Sequence, residues 1–271
     1  QSGAISTFSV DYTASSANNV NTLAFTGSLT SGSLTLENAS SILGLGYTSQ
    51  TVGNFRLAAG SVQNGSLTAT SLTLESGVVS AILNGGANVT KSTSGAVTLS
   101  GANTLTGFLD ITAGTLSVGG VGRLSSGSLT VENSGSVLDL GNTTQSVAAF
   151  RLSNASVQNG TLQASSFGLE SGAIGSVMTG TGAISKSTPG MVTLSGANSW
   201  SGPFSVSGGT ILVSGAGKLS SGSLTISGAS TVNLGAGYQT VAAFRLADGS
   251  LTNGSLTASS FALENGLVSA V

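Results

Sequence analysis

Neither cysteine nor histidine occurs in this 271-residue chain. Their absence excludes disulfides, zinc–thiolate centres, imidazole metal sites and every nucleophilic constellation built on a thiol or an imidazole base. It leaves the compartment open, because a chain that needs no disulfide can fold anywhere. Charge is almost as scarce: seven Lys and Arg and nine Asp and Glu make up 6% of the residues, with a formal net charge of −2. Such a chain has no electrostatic footprint for nucleic acid or an anionic membrane, so neither partner is expected. No apolar run approaches the roughly 18 residues of a spanning helix, so no membrane insertion of this segment is expected. Gln1 is not followed by the charged and apolar regions of a secretory signal.

What remains is Gly, Ser, Thr and Asn around a hydrophobic fraction of 39%, enough apolar surface to fold. These residues repeat. Phe55-Arg56-Leu57 returns as Phe150-Arg151-Leu152 and as Phe244-Arg245-Leu246, at steps of 95 and then 94. Gly32-Ser33-Leu34-Thr35 returns at Gly127 and Gly222, at two steps of 95. Self-similarity at a fixed period is read as a stack of supersecondary units. The expected organisation is atypical leading or capping coils over 1–31, module one over 32–126, module two over 127–221 and a partial module three over 222–271. A chain that stops in mid-module is expected to be a piece of a longer array.

Within a module the runs are short and alternate apolar with polar residues, as in Ser33-Leu34-Thr35-Leu36-Glu37, Ser71-Leu72-Thr73-Leu74-Glu75 and Ala96-Val97-Thr98-Leu99-Ser100. Each is bounded by Gly, Asn or Ser, the pattern of half-buried strands rather than helices. Finer spacing divides the module. Arg56 stands midway between Glu37 and Glu75, Arg151 stands midway between Glu132 and Glu170, and Arg245 precedes Glu264, the step being 19 each time. Five coils of 19 make 95, so each module is expected to be five turns, individually unequal, of an all-β solenoid. At that length the chain would hold about fourteen coils at strand spacing. The eight charged residues would then form vertical ladders, acid over arginine over acid, in register from coil to coil.

One segment carries a resemblance. The run KSTSGAVTLSGANTLTG from Lys91 to Gly107, followed by Thr112-Ala113-Gly114-Thr115-Leu116-Ser117-Val118, resembles the passenger-associated transport repeat of bacterial autotransporters, and related repeats occur in filamentous-haemagglutinin-like surface proteins. Its second copy, KSTPGMVTLSGANSWSG from Lys186 to Gly202 with Gly208-Gly209-Thr210-Ile211-Leu212-Val213, is similar too, though Leu105 and Trp200 stand at the usual aromatic and Pro189 and Pro203 depart from the pattern. The resemblance implies a right-handed parallel β-helix that is exported through the outer membrane and displayed or released outside the cell.

Carboxylates are the only serious catalytic option. Two coils would set Glu37 and Glu75 about 9 to 10 Å apart, near the separation of inverting glycosidases. Arg56 falls between them, however, and the set recurs in module two, so a structural ladder is the better reading and no enzyme is expected. Gly119-Gly120-Val121-Gly122 begins like a calcium turn, but Arg123 stands where the acid belongs and Lys218 repeats it. No cofactor or metal is expected. Asn103 and Asn198 read as corner residues. Phe55, Phe150 and Phe244 read as core, while Trp200 and Tyr238 are the candidates for exposed sugar contacts. The function expected is an extracellular structural or adhesive solenoid, a stiff spacer or fibre-forming passenger. Its partners would be other copies, further modules of the same chain, or host and matrix glycans. A carbohydrate-binding or biofilm-matrix module is the alternative, and a polysaccharide lyase or hydrolase a remoter one.

Overall fold

A computed structural model describes residues 10–12, 21–24, 29 and 32–271. The leading segment 1–31 therefore lies mostly outside the described residues. The fold is an all-β parallel solenoid of about twelve turns without helix among the described residues. It divides into two units, residues 1–129 with 136–143 and residues 130–135 with 144–271.

In the first unit Leu34 pairs with Phe55, Phe55 with Leu72, Leu72 with Val89 and Val89 with Leu109, so that successive turn lengths are 21, 17, 17 and 20. In the second, Phe150, Phe167, Ile184, Phe204, Leu224, Phe244 and Phe261 pair in sequence, with turn lengths of 17, 17, 20, 20, 20 and 17. The turns along this column are individually unequal, as expected, and none has nineteen residues, while the neighbouring column steps by nineteen from Val97 to Leu116 and from Val192 to Ile211. The opening pairing, Val10 with Leu34, closes a longer turn than any of these. The described residues make about twelve turns, against the fourteen expected of the whole chain.

The alternation seen in the sequence sets the faces. Leu34 and Leu36, Phe55 and Leu57, Leu72 and Leu74, and Val97 and Leu99 all point inward and are buried. Each such side chain contributes about 1.5 to 3 kcal/mol through burial. One turn lies on the next at strand spacing, so like residues stack in columns; Phe150 and Phe167 meet edge to face at a centroid distance of 6.0 Å. Where the chain turns a corner there is no room above the previous turn. At Gly101 and Gly196 an added Cβ would overlap the carbonyl oxygens of Ala81 and Ser176, one turn before.

Corners also interrupt the ladder of backbone hydrogen bonds, and buried amide side chains fill the gap. The Asn103 amide oxygen accepts from the Leu83 N–H at 2.8 Å and its Nδ2 donates to the Arg123 carbonyl at 2.8 Å, so one side chain ties three successive turns. Asn198 does the same between Met178 N–H and the Lys218 carbonyl, at 2.8 and 2.9 Å. Gln50 accepts from Leu29 N–H at 2.7 Å, and Gln239 accepts from Leu219 N–H at 2.8 Å. Replacing Asn198 by Ala orphans a buried donor and a buried acceptor together, and is expected to lower stability by about 2 to 3 kcal/mol. Asn142→Ala, at an exposed position, should stay within about 0.5 kcal/mol of the parent. Denaturant midpoints compare the two, and equal effects would refute the staple.

Candidate functional site

The charged residues picked out by the sequence come together in three clusters. Each Phe-Arg-Leu strand turns its Phe and Leu into the core, which leaves the arginine outside. Arg56 Nε and Nη2 donate to the two oxygens of Glu75 at 2.6 and 3.0 Å, and Nη1 reaches Glu37 at 3.5 Å. Arg151 holds Glu170 through the same fork at 2.7 and 3.0 Å and Glu132 at 2.7 Å. Arg245 holds Glu264 at 2.8 and 2.9 Å, with Ser227 in place of the first acid.

The ladders are diagonal, which corrects the vertical register expected of them. The Cα partners of Arg56 are Thr35 and Thr73. The glutamates sit two residues further along the neighbouring strands, on the same outward face. The equal sequence offsets on the two sides of Arg56 therefore arise from unequal turns, a long one less two and a short one plus two. A long, forked guanidinium spans that diagonal and meets both oxygens of one carboxylate.

Hydrogen bonding from Arg151, opposed by burial and helped by the Ser153 hydroxyl and by the charges of Arg151 and Lys186, holds the Glu170 carboxyl below the usual carboxylate range. Hydrogen bonds to Glu75, and to Glu170 and then Glu132, raise Arg56 and Arg151 in turn against some burial. A carboxylate kept ionised this way makes a poor general acid at neutral pH. With Arg56 and Arg151 each 43% exposed, each pair is worth only a few tenths of a kcal/mol in water.

Two charges escaped sequence reasoning. Lys91 and Lys186 are fully buried, pointing inward two residues after Val89 and Ile184. Lys91 Nζ donates to the carbonyls of Thr93 and, one turn on, Ala113 at 3.0 Å. Lys186 Nζ does so to Thr188 and Gly208, the latter at 3.0 Å. Burial pushes both ammonium groups below the ordinary lysine value, against the opposing pull of Glu75 and Glu170. Gly209, at φ +67°, leaves room for this clamp, since its Cβ would collide with Lys186 Nζ and two carbonyl oxygens. The signal was present as parity: in Asn88-Val89-Thr90-Lys91 the alternation that buries valine also buries lysine.

Trp200 is not an exposed sugar contact. It is fully buried, edge-on to Phe204 at 5.9 Å, because it takes the inward position that Leu105 takes in the first copy. Tyr238 is 80% exposed, at the start of the strand Tyr238–Leu246. Arg123 and Lys218 are exposed in their turns, and no group of three or more potential metal ligands gathers among the described residues.

Glu170 is depressed in the folded state, so its contribution is present above the unfolded carboxylate value of about 4.3 and is lost as pH falls through the folded value. Glu170→Gln is expected to reduce the drop in denaturant midpoint between pH 7 and pH 3. The difference should be under about 1 kcal/mol, given the exposure of the pair. An unchanged pH profile would remove the ladder from the stability of the fold.

The family model of the passenger-associated transport repeat matches residues 89–118 and 186–213, well under half of the chain. No curated protein and no solved structure matches the chain. Each matched segment contains one buried lysine clamp and one corner asparagine. The chain carries two passenger-associated transport repeats on a parallel β-solenoid, a combination consistent with an autotransporter passenger.

Proposed function

We propose that the chain is an extracellular structural solenoid of a bacterial surface or secreted protein. In this reading it is a stiff spacer that carries or itself forms an adhesive surface, and further modules of the same chain or other copies of it are its partners. One observation carries the reading. The polar residues of the transport repeats, Lys91 and Lys186 with Asn103 and Asn198, are taken up by bonds from one turn to the next. They build turns and offer no reactive group to solvent.

The mechanism is mechanical. Backbone pairing and apolar columns resist separation of the turns, amides and ammonium groups close the gaps at corners, and Ser, Thr and Asn coat the outside. Such a surface has little charge to attract nonspecific partners. A hydrolytic reading has less support, because the acids that recur in pairs are each held by an arginine.

Exposure on the cell decides the matter. In bacteria that produce the protein natively, an antibody raised against residues 144–271 is expected to label intact, unpermeabilised cells or to detect the chain in the medium. Signal confined to the cytoplasm after fractionation would overturn the proposal.

A further inference from the structure

Gly168 lies in the middle of the strand Thr161–Ile174, paired with Arg151 on one side and Ser185 on the other. Nothing in the backbone calls for glycine there. Its φ lies outside the left-handed region, and an added Cβ would meet only the Phe150 carbonyl oxygen, at an ordinary 3.8 Å. The same place after the other two Phe-Arg-Leu strands holds Thr73 and Ala262. Glycine inside a strand weakens it by roughly 0.5 to 1 kcal/mol relative to alanine and often marks a place where another molecule approaches the backbone.

Over Gly168 the surface opens into a hollow of about 430 Å³, within the range of about 300 to 1,000 Å³ typical of small-molecule sites. Arg151, Glu170, Ser166, Ser185 and Ser187 line it, the Ser185 hydroxyl also reaching the Phe167 carbonyl at 3.4 Å. Three of the five guanidinium N–H groups go to Glu132 and Glu170, which leaves two. Two Arg151 N–H groups and the Ser153 hydroxyl take three of the Glu170 lone pairs, which leaves one, and the serines can both donate and accept. Donors and acceptors therefore stand around the bare backbone of Gly168, with the methyl group of Ala183 beside them. Glu132, Arg151, Glu170 and the buried Lys186 beneath Thr188 sum to no net charge, which suits an uncharged ligand.

We propose that this hollow binds a neutral saccharide unit, whose adjacent hydroxyls donate to Glu170 and accept from Arg151 while the ring lies over Gly168. The site stands on its own geometry and does not depend on where the chain is displayed.

The test titrates the full chain with cellotriose, maltotriose, mannotriose and chitotriose, and with 3′-sialyllactose and inorganic phosphate as anionic probes, following backbone amide shifts by NMR. At least one neutral trisaccharide is expected to shift the Gly168 and Ser185 signals saturably. Gly168→Thr, which installs the side chain found at Thr73, should weaken that binding at least tenfold with an unchanged or higher denaturation midpoint. Ser187→Leu, at an exposed position, supplies a second block should Gly168→Thr fold poorly. No response to any neutral sugar, equal or tighter binding of the anionic probes, or binding that survives both substitutions would overturn the site.

Discussion

Each turn of this chain has to bring its backbone back to within hydrogen-bonding distance of the turn before, at the roughly 4.7 to 4.9 Å spacing of paired strands. Straight stretches meet the requirement with parallel backbone pairing and an apolar side chain on alternate residues. Corners cannot, because the chain changes direction there, the regular ladder lapses, and some backbone donors and acceptors need other partners while the turns stay in close contact. Four kinds of residue answer that deficit in both units. Glycine permits the approach, asparagine and glutamine substitute for missing backbone groups, and an inward lysine gathers carbonyls from two turns.

The same requirement explains why turn length can vary while pairing does not. A short turn, Phe167 to Ile184, and a longer one, Ile184 to Phe204, close on the same inward column, the difference being taken up outside the paired stretches. The charged clusters live with this variation. An arginine between a long turn and a short one reaches acids equally far away in sequence but displaced along the strand, and the flexible guanidinium stem absorbs the offset. Electrostatics here follows the backbone register and adds little to it.

Much of the fold was legible because period-two alternation is a local property. Leu34, Leu72 and Val97 each declare their face within a short run, and the repeat at Phe55, Phe150 and Phe244 declares the stack. Turn lengths were not legible, since an even spacing between charges reports a side-chain reach and not a backbone pairing. Trp200 was misread because a large aromatic was weighed by its chemistry instead of its parity; it stands two places after buried Asn198 and so points the same way. Lys91 and Lys186 were hidden for the converse reason, a polar residue at an apolar parity. Gly168 was invisible in a chain with 41 glycines, and only the room around its Cα position separates it from the glycines that the corners require.

The placement of the cations bears on how the chain meets its surroundings. Of seven Lys and Arg, two ammonium groups are sealed in the core and three guanidinium groups are bound to glutamate on paired strands. Only Arg123 and Lys218 stand on exposed turns. A trypsin-like protease needs a basic side chain on backbone that can leave its neighbours and thread through a cleft, and five of the seven potential cleavage points deny it one or both. Amine-directed labels and cross-linkers meet the same barrier at Lys91 and Lys186. Toward proteases of this one specificity, a chain built this way offers two turns, at Arg123 and Lys218, rather than seven points along its length.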